Sequence, residues 1–184
     1  MSQFPLGVPL IFEEELLLWT VENIYTKKEC DNLIKLIKKS NPKPATTNFS
    51  FRNQDRVILD RPQFTTDLFS RLKSHLPAKI ANLKLIGINE RLRMYRYQKG
   101  QRFSPHTDHW YQPHTDRITL HSILVYLNDD FVGGETKFTE QIEKTVVPKT
   151  GMVAIFQHKI RHEGCEVRRG IKYAIRTDTI YEKV

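Results

Sequence analysis

His106, Thr107 and Asp108 set an imidazole and a carboxylate two positions apart. On an extended backbone, residues two apart project from the same side. A neutral imidazole beside a hard carboxylate suits a divalent ion such as iron(II), and one more histidine from a distant strand would leave positions open for other ligands. All but one of the seven histidines fall between His106 and His162, so two partners are available, His158 and His162. A rival pair exists as well, because His114-Thr115-Asp116 repeats the tripeptide. Spacing alone ranks the copies equally. Their contexts differ: Tyr97, Gly100, Phe103 and Pro105 lead into His106, whereas Trp110, Tyr111 and Pro113 before the second copy read as a loop.

The elements that must carry these groups change character near Glu90. Before it the chain reads as helical. Thr26 and Glu29 have capping-box spacing, and Cys30, Leu33, Leu36 and Ile37 share one helical face. Asn41-Pro42-Lys43-Pro44 closes that helix. A second helix is expected through Phe64, Leu68, Leu72 and Leu76, capped by Thr65 or Thr66 and ended by Pro77. After Glu90 short strand patterns follow one another. Leu92, Met94 and Arg96 alternate with Arg91, Arg93, Tyr95 and Tyr97, and further runs cover 118–127, 135–139, 146–147, 152–156 and 172–181, with Gly and Pro turns between them. The expected architecture is a helical layer, 1–89, that supports an all-β core, 90–184, without being an independent domain.

Composition narrows the class. With 184 residues, 39% hydrophobic and 27% charged, the chain fits one folded domain with no disordered bias. No apolar run is long enough to span a bilayer, and Met1–Leu10 lacks the layout of a secretory signal. Cys30 and Cys165 are the two cysteines, and two free thiols in a cytoplasmic protein are the simpler expectation. The formal charge is +8. It would attract anionic metabolites, acidic peptides or nucleic acid, but the basic residues are scattered and a solvated basic surface explains them equally.

The stretch from Tyr97 through Gly100, Phe103 and Pro105 to His106 and Asp108 resembles the leading motif of prolyl 4-hydroxylase-like iron(II)/2-oxoglutarate-dependent dioxygenases. Three further blocks follow in that family's order: 124–128 with Gly133-Gly134-Glu135-Thr136-Lys137-Phe138; Pro148, Gly151 and Phe156; and His162-Glu163-Gly164 with Val167, Gly170, Lys172-Tyr173 and Arg176-Thr177-Asp178. The resemblance covers about 91–182. It implies an α+β fold whose core is a double-stranded β-helix of the jelly-roll or cupin-like kind, with supporting N-terminal helices. It implies His106, Asp108 and His162 as metal ligands, over His158 and over the second tripeptide. It further implies Lys172, with Tyr126 and Tyr97, as the grip on the 2-oxoglutarate cosubstrate, with Fe(II), O2 and a supporting ascorbate.

The expected reaction is hydroxylation of an unactivated C–H bond, of a prolyl residue in a peptide or protein, with a free amino acid or small metabolite as alternative substrate. Asp108 argues for hydroxylation over halogenation, since the carboxylate fills the place a halide would need. Substrate contacts are expected from the loops 48–57 and 108–117, with Arg52, Arg56, Trp110 and Arg176 as candidates and His109 beside them. An AlkB-type nucleic-acid dealkylase would suit the charge, but it carries a pair of arginines after the distal histidine where this chain has Arg176 alone. A catalytically inactive β-sandwich binding module would lack a ligand or an anchor, and none is missing. Nucleic acid and membrane are not expected partners, and the sequence leaves the oligomeric state open.

Overall fold

The computed structural model describes residues 17–184; the Met1–Leu10 stretch lies outside them. Among the described residues two α-helices, α1 (Lys27–Lys39) and α2 (Pro62–Leu72), the latter continued by a single 3-10 turn over Lys73–His75, accompany fifteen strands. These are β1 (Leu18–Val21), β2 (Lys43–Pro44), β3 (Asp55–Asp60), β4 (Lys79–Ile80), β5 (Leu83–Ile88), β6 (Arg91–Tyr97), β7 (Phe103–His106) and β8 (Arg117–Tyr126). There follow β9 (Val132–Gly133), β10 (Thr136–Thr139), β11 (Lys144–Val146), β12 (Val153–Gln157), β13 (Arg161–Gly164), β14 (Val167–Arg169) and β15 (Lys172–Lys183).

Helix α1 begins where its sequence says it should. The Thr26 hydroxyl accepts from the Glu29 N–H, and the Glu29 carboxylate accepts from the Thr26 N–H at 2.7 Å, so both arms of the capping box are made. Helix α2 starts earlier than expected. Pro62 occupies its first turn behind Arg61, which gives no side-chain cap. Proline is at home there because its missing N–H has no intrahelical partner to lose. Thr65, expected as a cap, instead lies inside the helix and returns its hydroxyl to the Pro62 carbonyl at 3.1 Å.

The first half is more than a helical layer. Strands β1, β2, β3, β4 and β5 all join the main sheet, whose path runs β1-β12-β8-β15-β6-β3-β2, with β5 on β15 and β4 on β5. A second sheet runs β11-β10-β13-β7. Every pairing in both is antiparallel. This is the expected double-stranded β-helix, closed on one side by helices.

The main sheet has two faces with two jobs, and strand alternation assigns them. Leu92, Met94, Ile123, Val125, Ile155 and Ile175 point to one side and pack with Leu68 and Leu72 of α2 and Ile37 of α1. The opposite side faces the second sheet. Register places Lys172 opposite Tyr97, Ala174 opposite Tyr95 and Tyr126, and Arg176 opposite Arg93 and Leu124. One side of the sheet is thus a core, and the other is the wall of a site.

Candidate metal and cosubstrate site

Strands β7 and β13 pair so that His106 stands directly across from His162. Asp108 follows two residues after His106, and its N–H donates to the His158 carbonyl at 2.8 Å, which fixes the exit of the strand. One ligand atom from each of His106, Asp108 and His162 lies within 4.8 Å of the others. Among the described residues this is the one such group of histidine, cysteine and carboxylate side chains.

The orientation of each ring follows from what its other nitrogen does. His106 Nδ1 donates to the Ser104 carbonyl at 2.8 Å, and His162 Nδ1 donates to the Ile160 carbonyl at 2.9 Å. A carbonyl only accepts, so both Nδ1 atoms carry the proton and both Nε2 lone pairs are free. Those Nε2 atoms face Asp108, each 3.8 Å from one of its oxygens. Rings hold the imidazoles in place: His106 stacks on Phe103 with centroids 3.6 Å apart, and His162 lies 4.5 Å from Phe156.

Protonation in the site leaves its donors free for a metal ion. Burial pushes His106 down to about 4 and lowers His162, so both are neutral near pH 7. Burial by itself would push the Asp108 carboxyl up. The Arg176 guanidinium, the neighbouring histidines and the Ser122 hydroxyl together outweigh it, and the group stays well below the usual carboxylate range. Arg176 Nη1 sits 3.0 Å from Asp108 Oδ1, and Ser122 donates to Oδ2. Two neutral nitrogen donors and one ionised oxygen donor, oriented by outer hydrogen bonds, fit a ferrous ion.

Beside the trio lies a cavity of about 40 Å³, lined by Tyr97, Thr136, Lys172 and Arg176 among others. Lys172 is 3% exposed. Its ammonium donates to the Gly134 carbonyl at 2.7 Å and lies 5.2 Å and 5.4 Å from the Tyr97 and Tyr126 ring centres. Burial pushes it down to about 8. A buried cation with one neutral hydrogen-bond partner fits the far carboxylate of a keto diacid.

Other sequence candidates are placed differently. Tyr126 is fully buried, its hydroxyl meets Thr136 Oγ1 at 2.7 Å, and Thr136 rather than Tyr126 lines the cavity. Arg176, expected at the substrate, is held by Asp108 and by Asp178 at 2.9 Å. Its Nε is the one buried side-chain polar atom without a partner among the described residues. Trp110 packs beside Ile80, Leu83, Ile118, Leu120 and Tyr181, away from both cavities. His158 joins no ligand group; it meets Ser122 at 2.9 Å and Thr119 at 3.1 Å. The second tripeptide lies in the loop before β8 and forms no such group. Arg52 and Arg56 line a second, outer cavity of about 550 Å³ that also reaches His106 and Asp108. Thr136 and Ser122 were missed by sequence reasoning. Ser122 alternates with Leu124 and Tyr126 on the inner face of β8, a signal that the run 118–127 did contain.

Residues 92–177 match the family described as the 2OG-Fe(II) oxygenase superfamily. Two relatives in Arabidopsis thaliana are similar. Probable prolyl 4-hydroxylase 6 is 29% identical over 126 residues, which is 64% of this chain and 44% of that protein. Probable prolyl 4-hydroxylase 11 is 30% identical over 121 residues, 62% of this chain and 41% of that protein. The chain therefore spans less than half the length of these relatives.

Solved structures agree on the fold. A viral collagen prolyl hydroxylase from Paramecium Bursaria Chlorella virus-1 matches at TM-score 0.65 and 21% identity, covering 90% of this chain and 96% of that one. A Pseudomonas putida prolyl-4-hydroxylase matches at TM-score 0.67 and 15% identity, covering 91% and 92%. A Trichoplax adhaerens prolyl hydroxylase, solved with a hypoxia inducible factor peptide fragment, matches at 0.66 and 15%, covering 89% and 83%.

Proposed function

We propose that this chain is a prolyl 4-hydroxylase-like 2OG-Fe(II) oxygenase and that it hydroxylates an unactivated C–H bond of a prolyl residue in a peptide. The observation that carries the proposal is the convergence of His106, Asp108 and His162 beside the buried Lys172. Iron(II), 2-oxoglutarate and O2 together supply an oxidant able to exchange C–H for C–OH, with succinate and CO2 as coproducts.

The chain's own residues do the positioning. His106 and His162 present Nε2 lone pairs that their carbonyl-bound Nδ1 protons keep aimed at the metal. Asp108 brings the balancing negative charge, and Arg176 and Ser122 keep it ionised and prevent rotation. Lys172 holds the far carboxylate of the cosubstrate, with Tyr97 and Thr136 beside it. Tyr126 supports that end by fixing Thr136. The walls formed by Phe103, Phe156 and Leu124 exclude water from the reacting centre. Ascorbate is assigned the supporting role of keeping the iron ferrous. A cytoplasmic setting is proposed from the two unpaired cysteines. No helix among the described residues is long and apolar enough to cross a membrane.

Purified protein supplied with iron(II), ascorbate, 2-oxoglutarate and proline peptides should release succinate and add one oxygen to the peptide. His162→Ala should lose bound iron and turnover by more than the roughly 10–100-fold that loss of an outer partner brings. Retention of iron and keto-acid consumption in that variant would overturn the assignment.

A further inference from the structure

The outer cavity has an unbalanced charge. Four guanidinium groups line it, from Arg52, Arg56, Arg93 and Arg176, and the one carboxylate in its wall is Asp108. Two of the four are already neutralised. Arg176 pairs with Asp108 and Asp178, and Arg93 Nη1 reaches Asp178 Oδ2 at 3.2 Å. Arg52 and Arg56 pair with no carboxylate among the described residues. The Arg52 guanidinium carbon lies over the Phe103 ring, 3.9 Å from its centre, and with its amide turned to satisfy its neighbours Gln54 accepts from it at 2.6 Å. Arg56 makes a single long bond, 3.4 Å, to the Ala45 carbonyl. Arg52, Arg93 and Arg176 crowd it electrostatically, on top of partial burial.

Strand register makes this a built feature. Arg56 stands opposite Tyr95 on β3 and β6, and Arg93, two residues before Tyr95, stands opposite Arg176 on β15. Like charges set directly across a sheet cost stability. A low-dielectric concave wall also focuses their field on whatever enters. The cluster is close to the metal trio: Arg52 stacks on Phe103, and Phe103 stacks on His106.

We infer that the outer cavity binds a carboxylate of the prime substrate, held by Arg52 and Arg56, and that it does so as an acidic side chain flanking the hydroxylated proline. The inference rests on the proposed reaction and adds its substrate class. A planar guanidinium grips a carboxylate through two parallel bonds. The exposed ring of Phe51, 5.4 Å from Phe103 at the rim, offers an apolar surface beside that grip. A free amino acid would present the same carboxylate from its own backbone. Nucleic acid fits less well, since phosphate tracking needs a basic surface that extends along the strand.

The test compares a blocked pentapeptide with one proline between two aspartates, its asparagine counterpart, free L-proline, prolinamide and a methylated oligonucleotide, each scored by mass for oxygen gain or methyl loss. Succinate release by the native protein without any of them reports the proposed reaction separately. The aspartate peptide should show a KM lower than the asparagine peptide by about tenfold or more. Arg56→Glu should erase or reverse that preference, and Arg56→Lys should keep part of it. Preference for L-proline over prolinamide, lost in Arg56→Glu, would support the carboxylate grip with the free amino acid as its source. Equal use of the two peptides and of the two proline forms, or turnover of the oligonucleotide alone, would overturn the inference even where succinate is released.

Discussion

Lys172 carries a charge that the folded protein does little to stabilise. Its surroundings are the Gly134 carbonyl and two tyrosine rings, and burial pushes it down to about 8. On the proposed assignment, a dianionic cosubstrate would bind the protonated form. In the free protein that form is nearly complete a unit below that value, half lost at it and the minority above it, so binding above pH 8 must increasingly take up a proton. The KM for 2-oxoglutarate should therefore be flat to about pH 7, bend near pH 8 and then rise by up to about tenfold per pH unit. Steady-state kinetics from pH 6.5 to 9.5 would show this, and Lys172→Arg should remove the inflection because a guanidinium stays charged. A native KM that Lys172→Ala leaves unchanged would mean that Lys172 does not hold the cosubstrate. The inward placing of Lys172 at the cavity was expected from its position after His162 in an ordered motif. The setting of Asp108 was not, because Arg176 and Ser122 come from other strands and reach it only across the closed sheet.

Strands carry these residues, and their turns decide where the strands stop. Gly133 has φ +80°, which L side chains seldom adopt, and a Cβ there would come 2.2 Å from the Glu166 carbonyl oxygen. The contact is backbone against backbone, across the β9–β14 pair in which Gly133 faces Val167. Gly133→Ala should force those strands apart, at about 1–3 kcal/mol for the strained backbone. The neighbouring Gly134 carbonyl is the Lys172 partner, so the same variant should raise the 2-oxoglutarate KM, read beside its thermal midpoint. A lower midpoint with an unchanged KM would separate the turn from the cosubstrate end. Such turns were visible in the sequence as Gly133-Gly134 between two apolar runs, and α1 as a capping box before an amphipathic stripe. The strands of the first half were not visible. Asp55–Asp60 and Leu83–Ile88 alternate poorly, and they become strands because β6 and β15, distant in the chain, offer them edges. Tertiary pairing decided their conformation over local preference.

At the scale of the whole molecule, the main sheet keeps stability and chemistry on opposite faces. Tyr173 and Ile175 of β15 pack into the core under the helices, whereas Lys172, Ala174 and Arg176 of the same strand line the site. A change beneath the helices therefore reaches the site only through backbone movement, which the pairing of β15 with β6 and β8 from Lys172 to Asp178 resists. Leu68 is the sharpest probe: it is fully buried on α2, against the core face and away from either cavity. Leu68→Ala removes buried apolar volume and leaves a void, at about 2–5 kcal/mol. In a domain of this length that should lower the thermal midpoint by roughly 4–20 °C. Well below the midpoint, iron content and the KM for 2-oxoglutarate should match the native values. A thermal melt paired with kinetics at low temperature would check both halves. If the KM rises in step with the loss of stability, the two faces are mechanically coupled, and the helical layer takes part in shaping the site.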